Sequence, residues 1–454
     1  MNFHIKTYGC QMNERESEAL ACLLTDMGYN ETLDEEKADV IILNTCSVRE
    51  QAERKAIGKI AFMKKYKRSN PDLVIGAIGC MAQNRGAELL EKLPHLDFVL
   101  GTGKLHLLPE TIEKVRQERR RFAELAQSDA VLNAMGTHFH RDGERPHNAF
   151  IAITRGCNRF CAYCIVPYVR GREISRAQDD VVAEAGMLAA SGVREIMLLG
   201  QNVASYGWGG NVNPPPDGVS PFADLLERLA AIDGIKRIRF TSPYPTFFNA
   251  KLIRTMAGQP KICRNVHLPL QSGSAAVLKA MNRQYTPERY LEIVAGLKAA
   301  MPEITFSTDV IVGFPGETEA DFLATRDVMD QVGFDQAYIF KYSPRPGTRS
   351  AERDDDVPQH VKEERNQILL ADLEKRCIAS NRSYVGKTVE VMFDGPSPRN
   401  PDRYSGRTST AKTVVFAPQE GLTPGDLVEV TVERAGRVTL FGPGLIAPDE
   451  ELLP

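Results

Sequence analysis

The chain has 454 residues, enough for two to four domains with ordinary cores. Apolar residues make up 43% and charged residues 25%, a globular balance, and no apolar run approaches the ~18 residues of a membrane span. A formal net charge of −3 excludes a globally basic surface, so an RNA partner would have to be met by local basic patches.

The first residues lead into a strand-like segment rather than a signal peptide. Nine cysteines, an odd number in tight spacings, suit metal binding in a reducing compartment, so a cytoplasmic protein without membrane attachment is expected. Residues 1–122 alternate short apolar runs with helical patterns, as in a parallel α/β domain. Residues 3–8, 40–44 and 73–78 read as strands; 14–27 and 49–65 read as helices, the first with Leu20, Leu23, Leu24 and Met27 at helical spacing. A cysteine follows each strand almost at once: Cys10, Cys46 and Cys80. The carboxyl ends of parallel strands share one edge, where ligands bind, so these three should converge. The competing reading is buried thiols that happen to end strands. Cys22 sits in a helical apolar stripe, Cys263 and Cys377 lack ligand-like spacing, and all three read as structural.

Residues 123–147 loosen into a polar linker, where His138 and His140 read as solvated side chains. Residues 148–382 resume the alternation, with strands at 149–154, 195–199, 237–240, 266–269, 305–310 and 336–340. Helices at 179–190, 221–232, 287–300 and 319–332, and a closing helix from 363, complete a partial (β/α)6 barrel. Residues 383–446 hold short strands at 388–393, 413–416, 427–432 and 438–441, predicting a small antiparallel β-barrel of the oligonucleotide-binding type. The fold class expected is α/β, in three domains.

Cys157, Cys161 and Cys164 lie within eight residues, in Arg155-Gly156-Cys157-Asn158-Arg159-Phe160-Cys161-Ala162-Tyr163-Cys164. Three thiolates so spaced can wrap three corners of a cubic 4Fe–4S cluster and leave one iron open. A structural zinc knuckle wants four protein ligands, and the nearest histidine, His147, is ten residues upstream. With Tyr163 before the last cysteine, the motif resembles the signature of radical S-adenosylmethionine (SAM) enzymes. That resemblance implies SAM on the open iron and cleavage to a 5′-deoxyadenosyl radical by an electron from an external donor. Loops after the barrel strands then acquire roles. Gly200, Gln201 and Asn202 can bind the polar end of SAM; His267, Gln271 and Ser272 suit a ribose or carboxylate. Val310, Ile311 and Val312 can wall an adenine above the tight turn of Gly313. Taken singly, each is ordinary turn chemistry or a satisfied buried group.

Nearly the whole chain resembles the radical SAM methylthiotransferases, which join an N-terminal cluster domain, a radical SAM barrel and a C-terminal TRAM β-barrel that helps bind RNA. Thr7-Tyr8-Gly9-Cys10-Gln11-Met12-Asn13, Asn44-Thr45-Cys46-Ser47-Val48-Arg49-Glu50, Gly79-Cys80-Met81-Ala82-Gln83 and Cys164-Ile165-Val166-Pro167-Tyr168-Val169-Arg170-Gly171-Arg172-Glu173 carry the likeness. Gln11-Met12-Asn13 and Ser47-Val48-Arg49 resemble the type acting on N6-isopentenyladenosine beside the anticodon of tRNA. The resemblance implies two 4Fe–4S clusters, the auxiliary one on Cys10, Cys46 and Cys80, with SAM as the other cofactor. Implied partners are the tRNA anticodon stem-loop, a reductase and a sulfur carrier that repairs the cluster, around a monomer. Lys387, Arg399, Arg403, Arg407 and Lys412 would meet phosphates, with Tyr384 and Tyr404 available for stacking. Alternatives are the same chemistry on threonylcarbamoyl-adenosine or a ribosomal-protein aspartate, or a zinc-bearing RNA-binding protein without catalysis. One departure is Ser242-Pro243-Tyr244-Pro245, where relatives often place histidine at the third position; Trp208 and Pro214-Pro215-Pro216 extend a loop with no assigned role.

Overall fold

The computed structural model describes residues 1–47, 50–128, 147–209, 216 and 218–443. The linker beyond residue 128, with His138 and His140, lies outside them, as do Val48, Arg49, Pro214, Pro215 and residues 444–446. The N-terminal domain is one parallel sheet of six strands: β1 (Asn2–Thr7), β2 (Asn30–Glu31), β3 (Val40–Thr45), β4 (Val74–Gly79), β5 (Phe98–Leu100) and β6 (Phe122–Glu124). Their order is β2-β1-β3-β4-β5-β6. β3 is buried at every position, as its unbroken apolar run requires of a strand covered on both faces. Leu20, Leu24, Leu108 and Ile112 pack on one face, and Ala56, Ile60, Met81 and Leu89 on the other.

Several expectations need correction. β2, β5 and β6 are too short to show periodicity, and Ala123 and Glu124, placed in the linker, pair with Val99 and Leu100. The helix expected over 49–65 is two, Glu50–Phe62 and Lys64–Ser69, separated at Met63. Met27 is 53% exposed because the first helix, Gln11–Asp26, ends before it, and Cys22 and Cys377 are only half-buried.

The barrel consists of two three-stranded parallel sheets. Strands β7 (Asn148–Ala152), β10 (Glu195–Leu199) and β11 (Arg237–Phe240) form the first, in the order β11-β10-β7. Strands β12 (Asn265–His267), β13 (Thr305–Val312) and β14 (Gln336–Lys341) form the second, and a bridge from Ile238 to Ile262 joins the sheets. The short β8 (Thr154–Arg155) and β9 (Ile174–Ser175) pair with each other around the Cys157–Cys164 loop. Trp208 packs against the barrel core.

The C-terminal sheet comprises β15 (Thr388–Ser397), β16 (Asn400–Thr408), β17 (Thr413–Phe416), β18 (Leu427–Thr431), β19 (Arg434–Ala435) and β20 (Thr439–Phe441). β16 escaped sequence reading because Asn400-Pro401-Asp402-Arg403 lacks apolar alternation. β17 and β20 pair in parallel, since the chain between them crosses to the far edge as β18.

This sheet closes the amino ends of the barrel strands. Arg239 donates from Nη2 to the Thr408 carbonyl at 2.8 Å and from Nε to Glu195 at 2.8 Å, while Thr305 Oγ1 donates to the Thr410 carbonyl at 2.8 Å. Two expected RNA contacts are consumed here. Arg407 pairs with Asp394 at 3.2 Å and Glu195 at 3.3 Å, and buried Lys412 reaches Asp335 and, at 2.9 Å, Asn381. Tyr404 stacks on Phe393, and Tyr384 bonds Thr410 through its hydroxyl with Lys412 Nζ 5.6 Å from its ring centre. Lys387 and Arg399 remain exposed.

At its other end the barrel holds the N-terminal domain through buried charges. Glu184 accepts from Arg15 at 3.1 Å and from Arg176 at 2.5 Å, with all three side chains 4% exposed or less. Removing one partner leaves buried charge uncompensated. Glu184→Ala should therefore cost about 3–5 kcal/mol, read as a lower unfolding temperature, whereas Glu292→Ala, which breaks the exposed pair with Arg289, should stay within about 0.5 kcal/mol.

Candidate functional site

All six cysteines expected as ligands line one cavity of about 310 Å³ between the N-terminal domain and the carboxyl ends of the barrel strands. Cys10 caps the helix Gln11–Asp26, Cys80 is the first residue of the helix Cys80–Lys92, and Cys46 directly follows β3. Gly9 and Gly79 precede two of the cysteines at φ +145° and +93°, and a Cβ on Gly9 would meet Cys46 Cβ at 2.8 Å. Below them Asn44 and Asn13 bond each other: Asn13 Nδ2 donates to Asn44 Oδ1 at 3.1 Å and Asn44 Nδ2 to the Asn13 carbonyl at 2.9 Å.

The second trio sits on a loop pinned from both sides. Gly156, at φ +80°, donates its N–H to Gln201 Oε1 at 2.6 Å, and a Cβ there would strike the Arg172 carbonyl at 2.0 Å. Ala162 N–H donates to the Met281 carbonyl at 2.8 Å, and Asn282 Nδ2 to the Phe160 carbonyl at 2.8 Å. Sequence reading missed this Met281–Gln284 support. Its available signal was Asn282, which takes φ +58° at a helix end, where asparagine is favoured.

Two guanidiniums point at the sulfurs. Arg170 Nε donates to Cys80 Sγ at 3.2 Å, and Arg283 Nη1 to Cys161 Sγ at 3.3 Å. Arg170 also grips Glu16 in a two-pronged pair at 2.6 and 3.1 Å and donates to Asn13 Oδ1 at 3.1 Å. Burial pushes the Cys80 and Cys157 thiols up to about 12, and raises Cys164 as well. Burial also lifts the Glu173 carboxyl to about 7.

The other expected site residues divide. Tyr163, Gly200, Gln201, Asn202 and Gln271 line the cavity of the six cysteines, and Tyr163 and Gln271 also line a neighbouring cavity of about 440 Å³. Val310 and Val312 face the packed core instead, because side chains alternate along β13 and it is Asp309 and Ile311 that reach the cavities. Ser272 is fully buried and bonds Thr325, while a Cβ on Gly313 would meet the Lys362 side chain at 2.3 Å, so packing holds both positions. His267 lines neither cavity; it bonds Ser307 at 3.0 Å and Asp309 at 3.2 Å and so orients Asp309.

Three family descriptions match in order: Uncharacterized protein family UPF0004 over residues 2–101, the Radical SAM superfamily over 151–329 and the TRAM domain over 382–443. The tRNA-2-methylthio-N(6)-dimethylallyladenosine synthase of Opitutus terrae is 45% identical, covering 98% of this chain and 97% of its own. The protein of that name from Moorella thermoacetica is 46% identical, covering 97% of each. The chain belongs to this family of synthases. Among solved structures, the radical S-adenosylmethionine methyltransferase TsrM of Kitasatospora setae shares the fold, with TM-score 0.59, 14% identity and coverage of 77% of this chain and 75% of its own.

A radical SAM enzyme uses a 4Fe–4S cluster and SAM, and the residues present fit them. Cys157, Cys161 and Cys164 offer soft sulfur on the wall of one cavity, which suits iron–sulfur ligation. Asn202 accepts the Tyr244 N–H on its Oδ1 at 2.9 Å, yet its Nδ2 is buried in the cavity wall without a partner among the described residues. Such an orphaned donor suits a polar ligand group. Among the described residues no helix is long and apolar enough to cross a membrane.

The loop geometry makes Gly156 a sharp test. In protein whose Cys10, Cys46 and Cys80 are all alanine, Gly156→Ala should lose more than half of its iron after anaerobic reconstitution, with an unchanged circular dichroism spectrum.

Proposed function

We propose that this protein converts N6-isopentenyladenosine beside the anticodon of tRNA (position 37) to its 2-methylthio form. It would do so with two 4Fe–4S clusters, one on each cysteine trio. The observation that carries this reading is the convergence of both trios on one cavity. Adenine C2 bears an unactivated C–H bond, which acid–base groups alone cannot exchange for sulfur, so the cofactors must carry the hard step. When bound, SAM and the clusters supply a radical that removes that hydrogen, a sulfur atom and a methyl group, driven by an external reductant.

The chain's own residues position and shield. Asn202 Nδ2 and the Gly200 backbone would hold the polar end of SAM, while Tyr163 walls both cavities. The neighbouring cavity, lined by Ile165, Ile311, Phe340, Lys341 and Arg345, combines apolar surface for a base and its isopentenyl group with cations for phosphate. A loop nucleotide splayed from its stack would enter there, next to Cys164. Its apolar walls exclude water from a reactive radical. Arg170 keeps Cys80 facing the other trio.

Iron and acid-labile sulfide counts decide the ligand assignment. Wild-type protein reconstituted anaerobically should hold two clusters and Cys10→Ala about one; two remaining clusters would refute the auxiliary site. For the substrate, nucleosides from a deletion strain should accumulate isopentenyladenosine without the methylthio group, and complementation should restore it. The RNA surface is tested by salt. Arg399→Ala should flatten the plot of log affinity for tRNA against log salt by about one unit, the effect of one lost phosphate contact.

A further inference from the structure

Arg283 is a half-buried cation for which, among the described residues, no carboxylate stands within ion-pair distance. Its guanidinium donates to Cys161 Sγ at 3.3 Å, to Tyr285 Oη at 3.0 Å and to the Pro269 carbonyl at 3.4 Å. Rings hold it in place, with Tyr244 and Tyr285 centred 4.5 and 4.9 Å from the guanidinium carbon. Tyr244 is itself fixed: its Oη accepts the Gln284 N–H at 2.8 Å, and Arg159 stacks over it at 4.9 Å. A charge drawn partly out of water is stabilised where an opposite charge meets it. The acceptor facing Nη1 is sulfur, neutral as a thiol and anionic as an iron ligand.

Tyr244 is the third residue of Ser242-Pro243-Tyr244-Pro245, at the mouth of the barrel. A phenol ring presents its negative face to two guanidiniums, which a protonated imidazole would repel. Hydrogen bonds to sulfur and net charge set the reduction potential of an iron–sulfur cluster. A cation at Cys161 favours the reduced, more negative state.

We propose that Arg283, clamped between Tyr244 and Tyr285, is a positioning residue that raises the reduction potential of the cluster held by Cys157, Cys161 and Cys164. Tyr244 is this chain's device for holding that charge against the sulfur. The inference rests on the reading of these three cysteines as cluster ligands.

The test uses full-length protein with Cys10, Cys46 and Cys80 changed to alanine, reconstituted anaerobically and titrated with dithionite while electron paramagnetic resonance follows the reduced cluster. At full iron and sulfide content, Arg283→Gln should lower the midpoint potential by the equivalent of about tenfold in the reduction equilibrium, ~59 mV for one electron. Tyr244→Leu should shift it in the same direction by less, and Tyr244→Phe, which keeps the ring face, by less still. Unchanged potentials in Arg283→Gln and Tyr244→Leu would overturn the proposal while leaving the ligand assignment intact. Should Arg283→Gln lose its iron, restoration by Arg283→Lys together with a lowered potential in Tyr244→Leu would uphold the role of the charge. An unmoved potential in Tyr244→Leu, or no restoration, would refute it. Absence of iron from the parent protein would instead defeat the cluster reading itself.

Discussion

One buried guanidinium ties the molecule together. Arg170 ends the short helix Val166–Arg170 that begins just after the Cys157–Cys164 loop, and among the described residues its side-chain hydrogen bonds all reach into the other domain, to Glu16, Asn13 and Cys80. A charge this deep is stable only with its partners in place. The loop of one cysteine trio therefore cannot settle unless the domain carrying the other is docked. The facing positions of the six sulfurs follow from that constraint. Ile165 and Val169 pack against Cys80 and add an apolar seal to the same joint.

The electrostatics of the cavity follow a single pattern. Each cysteine trio is met by one arginine at one of its sulfurs, through Arg170 at Cys80 and Arg283 at Cys161. The Arg170 guanidinium opposes the burial that pushes the Cys80 thiol up, and burial prevails there and at Cys157. The opposite end of the barrel is sealed by ion pairs with the C-terminal sheet, which spends Arg407 and Lys412 on architecture. An RNA that touches both that sheet and the cavity must span the barrel, about 25 Å for an eight-residue strand such as β13.

The six candidate cysteines were legible because their spacing is a local property. Eight residues suffice to define the Cys157 trio, and a repeating strand-to-cysteine pattern reveals Cys10, Cys46 and Cys80. The adenine wall was misread for a reason equally local. Val310, Ile311 and Val312 look interchangeable along the chain, yet the pleat turns the two valines into the core and Ile311 to the cavity. Arg407 and Lys412 of the C-terminal sheet failed likewise, since sequence shows a charge but not the carboxylate that another domain brings to it.

The sequence by itself determined the domain order, the parallel strand–helix plan, the two candidate cysteine trios and the family. These reside in periodicity and in short motifs, which survive without knowledge of packing. Only the tertiary structure decided that the trios share a cavity, that Arg170 and Arg283 face their sulfurs, and that Tyr244 clamps one of those arginines. Such contacts join residues as far apart as Glu16 and Arg170, and a pairing across that distance leaves no trace in the local pattern of either partner.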